Sequence, residues 1–66
     1  MSSRFGAMLK RIREAKGMTQ VELAKRAKVA QGYVSALEAG AKKDPGLAVL
    51  KRLARALRVP VTELLE

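Results

Sequence analysis

The sequence contains no cysteine, no histidine and no tryptophan, and its aromatic side chains are one tyrosine and one phenylalanine. Without cysteine there are no disulfide staples and no thiolate nucleophile. The joint absence of cysteine and histidine also excludes a zinc finger and imidazole acid–base chemistry. Carboxylates are scarce: Glu14, Glu22, Glu38, Asp44, Glu63 and Glu66 are scattered along the chain, so no enzyme, metal or cofactor is expected. Long apolar runs are missing too. The longest of consequence, Leu47 to Leu50, is far below the ~20 residues that a membrane-spanning helix needs. Residues 1–6 carry one basic side chain with no apolar stretch behind it, unlike a secretory signal. A cytoplasmic protein with no membrane contact is the expectation.

What the chain has in excess is positive charge. Fourteen Lys and Arg against six Asp and Glu leave a formal charge of +8, which draws a protein toward polyanions. Nucleic acid is the first candidate and an anionic membrane surface the second. With 48% hydrophobic and 30% charged residues, the composition is that of a folded domain and not of a disordered tail. A chain of 66 residues makes a single domain over residues 1–66, and at this size only about 60% of the surface of the unfolded chain is buried.

Glycine and proline divide the sequence into five intervals, each with helical periodicity. Phe5, Met8, Leu9 and Ile12 recur at i, i+3, i+4 and i+7, which predicts a first helix near residues 4–16, capped by Ser3 and stopped by Gly17. Thr19-Gln20-Val21-Glu22 is a capping box, and Met18 with Leu23 occupies the positions of a hydrophobic staple, so a second helix starts there and ends near Ala27. A third follows at about Gln31 to Ala39, closed by Gly40. Two helices joined so briefly make a helix-turn-helix. Asp44-Pro45 predicts the start of a fourth helix with proline at its first position, and Leu47, Leu50, Leu53, Ala54 and Leu57 give it an apolar stripe. Pro60 opens a short fifth helix carrying Val61, Leu64 and Leu65. The expected architecture is all-α, a five-helix bundle.

The ordered residues Arg11-Ile12-Arg13-Glu14, Gly17-Met18-Thr19-Gln20, Glu22-Leu23-Ala24, Val29, Tyr33-Val34-Ser35 and Leu37-Glu38-Ala39-Gly40 resemble the phage-repressor helix-turn-helix domain of the Cro and C1 type. The likeness continues through Pro45, Leu50, Leu53-Ala54, Ala56-Leu57, Val59 and Glu63-Leu64-Leu65, covering nearly the whole chain. Tyr-Val-Ser in the third helix also resembles the small controllers of restriction-modification systems. The resemblance implies a lambda-repressor-like fold and a transcription regulator, usually a symmetric dimer on double-stranded DNA. It implies no small-molecule ligand.

At about 100° per residue, Gln31, Gly32, Ser35, Ala36 and Ala39 share one face of the third helix, Val34 and Leu37 point inward, and Tyr33 and Glu38 lie on the flanks. A helix of this kind presents its N-terminal residues to base edges in the major groove. The Gln31 amide matches the N7 and N6 atoms of adenine, and Ala36 can touch a thymine methyl. Gly32 stands at a base-contacting position without the longer side chain the family often carries there. Ser35 and Tyr33 are expected at phosphates, with core packing as the alternative for Tyr33. Gln20, at a helix start, and Lys42 and Lys43, in the following loop, are further phosphate candidates. The family pattern pairs Arg13 with Glu38 in a buried salt bridge, a structural role. The basic stripe of Lys51, Arg52, Arg55 and Arg58 is read first as a solvated face. Ala30 is a weak cap, so the third helix is expected to fray at its start in the free protein.

Sequence-specific regulation of DNA is thus the leading expectation, with Val61, Leu64 and Leu65 expected at a dimer contact. A monomer in which these three complete the core is the alternative. A protein-binding adaptor or antitoxin component on the same scaffold is the competing function, although such proteins usually carry an additional partner-binding segment. A cationic membrane-surface peptide is disfavoured, because the glycine and proline stops spread the basic residues over several helices.

Overall fold

The computed structural model describes residues 4–42 and 45–65. Its helices are α1 (Arg4–Ala15), α2 (Gln20–Ala27), α3 (Gln31–Ala39), α4 (Leu47–Leu57) and α5 (Val61–Leu64), with no strand among the described residues. The apolar periodicity of each helix brings one stripe to a common centre, where Leu9, Leu23, Val34, Leu37, Leu53, Leu57 and Leu64 are fully buried. Helix α3 packs on α1 and α2, α2 also on α4, and α5 bridges α4 and α1. No described helix is long and apolar enough to cross a membrane.

The helix stops follow one device. Gly17 (φ 71) and Gly40 (φ 81) close α1 and α3 in the left-handed region that glycine adopts without strain. Helices α2 and α4 end the same way on residues with side chains, Lys28 (φ 60) and Arg58 (φ 58). In each case the following valine donates its N–H back into the last turn, Val29 to the Ala24 carbonyl and Val59 to that of Ala54, both at 3.0 Å. Both valines also pack on the core, as the apolar residue of this motif commonly does.

Three expectations are corrected. Helix α4 begins at Leu47 with Gly46 as its cap, so Pro45 lies ahead of the helix and not at its first position. A start at Pro45 would bury glycine's poor helix propensity in the first turn, whereas at the cap glycine is well tolerated. Leu47 is 64% exposed and leaves the stripe, while Ala56 joins the core. Leu64 is fully buried, so it belongs to the core and is not a surface contact; Leu65, 62% exposed, and half-buried Val61 remain at the surface. Ser3, Lys43 and Asp44 lie outside the described residues.

Gly6 had no role in the sequence. It is buried where α1 crosses the end of α3, and a Cβ there would collide with the Leu37 carbonyl oxygen. Glycine is what lets the two backbones approach.

Candidate nucleic-acid interface

The start of α2 is built by reciprocal capping. Glu22 N–H donates to Thr19 Oγ1 at 3.1 Å, and Thr19 N–H donates to Glu22 Oε1 at 2.9 Å. The donation from the Thr19 backbone, followed by that of its hydroxyl, holds the Glu22 carboxyl below its ordinary range. Of the first-turn amides that of Glu22 is used in this way, and those of Gln20 and Val21 lie at the positive end of the helix without an intrahelical acceptor.

Arg13 and Glu38 form a bidentate pair between α1 and α3, Nε to Oε2 at 2.7 Å and Nη2 to Oε1 at 3.0 Å. Arg13 Nη1 also donates to the Met18 carbonyl at 2.7 Å. The two side chains are 9% and 3% exposed. The hydrogen bond to Glu38 raises the Arg13 pKa above its ordinary value against the opposing effect of burial, so the guanidinium stays charged. Gln20 completes the cluster, its Nε2 donating to Glu38 Oε1 at 3.0 Å. The Glu38 carboxylate therefore joins α1 and the first residue of α2 to α3, and Arg13 adds the turn before α2. No buried polar side-chain atom among the described residues lacks a partner. Sequence reading had Gln20 as a phosphate contact and did not find its link to Glu38, because the two are 18 positions apart with no periodic relation.

Helix α3 divides as the angular arithmetic requires. Val34 and Leu37 are fully buried; Gln31, Gly32, Ser35 and Ala39 are exposed, and Ala36 is half-buried. Ala30 caps the helix through its backbone alone, with no side-chain hydrogen bond. Tyr33 is half-buried against the core, and the Lys42 ammonium lies over its ring at 5.3 Å from the centroid. Lys42 is brought there by the turn after α3, where the N–H groups of Ala41 and Lys42 both donate to the Ala36 carbonyl, at 3.0 and 3.1 Å. Gln20, Gln31, Ser35 and Lys42 are thus set by two capped helices and one folded-back loop, on a scaffold fixed by the Arg13–Glu38 pair.

The model of a protein family described as helix-turn-helix matches residues 9–64. The chain belongs to the Cro/C1-type helix-turn-helix family of DNA-binding regulators. Solved structures agree with that membership. The restriction-modification controller protein C.AhdI from Aeromonas hydrophila is 34% identical, with 92% of this chain and 91% of that one covered and a TM-score of 0.89. SinR, a master regulator for biofilm formation from Bacillus subtilis, solved in complex with DNA, is 34% identical over 94% of this chain and 98% of its own, at a TM-score of 0.90. The clp gene regulator ClgR from C. glutamicum is 36% identical over 96% and 80%, at 0.87. No curated protein sequence shows significant similarity. In helix-turn-helix terms, α2 is the first helix of the motif, residues 28–30 are its turn and α3 is its second helix. The Glu38 cluster sits at the joint of the two.

Proposed function

We propose that this protein is a site-specific regulator that lays α3 in the major groove of double-stranded DNA. The observation that carries the reading is the outer face of α3, where Gln31, Gly32 and Ser35 are exposed opposite the fully buried Val34 and Leu37. That face is slim and polar, as a helix seated in a groove requires. Gln31 reads adenine through its amide, Ala36 meets a thymine methyl, and Gly32 lets the helix approach without a reading side chain of its own. Ser35 and the Tyr33 hydroxyl reach phosphates, and the lysines Lys42 and Lys43 grip the backbone beside them. With the Gln20 side-chain nitrogen turned onto Glu38, the contribution of Gln20 to phosphate binding comes through the first-turn N–H groups of α2 and its second amide hydrogen.

The functional unit is a symmetric dimer whose half-sites lie ~34 Å apart. Leu65 and Val61 supply the apolar contact at the outer side of α5. Selection of bound duplexes from a random pool tests the whole reading. It should return a two-fold symmetric consensus bound at least ~10³-fold more tightly than random DNA. Recovery of no consensus, with binding that depends only on salt, would reduce the protein to a polycation.

A further inference from the structure

Five cationic side chains line one open groove of about 420 Å³ at the C-terminal ends of α2 and α4: Arg26, Lys28, Arg52, Arg55 and Arg58. All five are exposed, and α3 contributes nothing to the lining. No acidic residue lines the groove, and none of the five is ion-paired with another described residue. Glu22, one turn before Arg26 on α2, feels its charge but does not line the groove.

Two of these cations stand where the backbone disfavours them. Lys28 and Arg58 are the left-handed stops of α2 and α4, the position that glycine fills at the ends of α1 and α3. A single cation at a helix C-terminus is favoured by the helix dipole. Five around one groove repel each other, and the dipole of two helix ends does not account for them.

We propose that this groove docks an extended acidic segment of a partner protein, independently of how α3 reads DNA. Arginine forks take carboxylates bidentately, and alternate side chains of an extended strand point the same way ~7 Å apart, so a few carboxylates meet the arginines in one register. An amphipathic helix would need apolar anchor pockets, and the groove offers only Ala27 and Ala56. A single nucleic-acid strand would need aromatic platforms; Phe5 and Tyr33 are the only aromatics, and neither lines the groove. A duplex carries a charge every ~1.7 Å and is gripped by surfaces that run along it, not by one compact pocket of cations.

The test titrates the full chain with a fluorescein-labelled (Asp-Ser)4 peptide, against (Asn-Ser)4 as the neutral control. Binding should be seen for the acidic peptide alone. K28G/R58G and R52A/R55A should each weaken it at least tenfold, whereas R4A/K10A, which removes the same charge from α1, should weaken it less than threefold. Glycine relieves both left-handed positions, so K28G/R58G should melt at or above the temperature of the parent, which separates lost binding from lost folding. The affinity of R52A/R55A, whose residues lie outside the helix-turn-helix, for a 20-bp duplex should fall no further than that of R4A/K10A. Amide NMR shifts on adding the peptide should cluster at Ala27 and Ala56. Equal loss of peptide affinity in groove and α1 variants, shifts centred on Gln31 to Ser35, or loss of duplex affinity with peptide affinity intact would each overturn the proposal.

Discussion

Arg13 and Glu38 show how much one residue's role depends on what surrounds it. As charges on a basic protein they invite a functional reading, yet both are buried and share two hydrogen bonds. Arg13→Ala alone leaves the buried Glu38 carboxylate without a countercharge and with Gln20 as its remaining donor, and chemical denaturation should register a loss of about 3–5 kcal/mol. The double variant R13M/E38L, which leaves no buried charge, should recover most of it. If the single and double variants were equally unstable, the pair would owe its importance to packing and not to charge. On the outer face of α3 the expectation is opposite in kind. Gln31→Ala should leave the melting temperature almost unchanged while relaxing one base position, at a discrimination of about 1–3 kcal/mol. Lys42→Ala should weaken all duplexes alike and lower the salt slope by about one.

Among the elements, α2 and α3 differ in how they begin. Helix α2 has reciprocal side-chain caps, and α3 starts on Ala30 with none. Hydrogen exchange in the free protein should therefore be faster at Gln31 to Tyr33 than across Leu50 to Leu57. Ala30→Ser should slow it and add about 1 kcal/mol of stability. Exchange at the start of α3 as slow as in α4 would show that tertiary packing alone secures the helix. The α2 cap has a pH signature. The Glu22 carboxyl is lowered from an ordinary value of 4.5, so the folded state binds its proton less readily than the unfolded one. Its contribution is present above pH 4.5 and is lost as the pH falls through the lower, folded value. Glu22→Gln should accordingly shallow the decline of melting temperature with acidification below that pH.

At the scale of the whole molecule, the short C-terminal helix divides between two tasks. Leu64 closes the core beneath α1 and α4, and Leu65 is left outside. Leu64→Ala should cost about 2–5 kcal/mol in any assembly state. Leu65→Glu should leave monomer stability nearly unchanged and shift sedimentation toward the monomer. A dimer unaffected by Leu65→Glu would place the contact elsewhere. The excess of positive charge is likewise distributed, with Lys42 beside α3 and five cations gathered at the C-terminal ends of α2 and α4. Binding to an anion can therefore engage either surface, and only variants confined to one of them tell the two apart.

Local signals were sufficient for much of this protein. The apolar spacing in α1, the Thr19–Glu22 capping box, the glycine stops and the two faces of α3 all arise within a turn or two of helix, where propensity and periodicity act directly. The start of α4 was misplaced because Asp44-Pro45 and Gly46 are competing start signals, and the preference of glycine for the cap prevailed. Contacts between distant positions had no such signature. The Gln20 link to Glu38, the collision that makes Gly6 necessary, the inward turn of Leu64, and the gathering of Arg26 and Lys28 with Arg52, Arg55 and Arg58 all depend on how helices cross. A chain's own periodicity says which side of a helix is apolar; which partner that side meets, and what is thereby brought together at its edges, is settled only by packing.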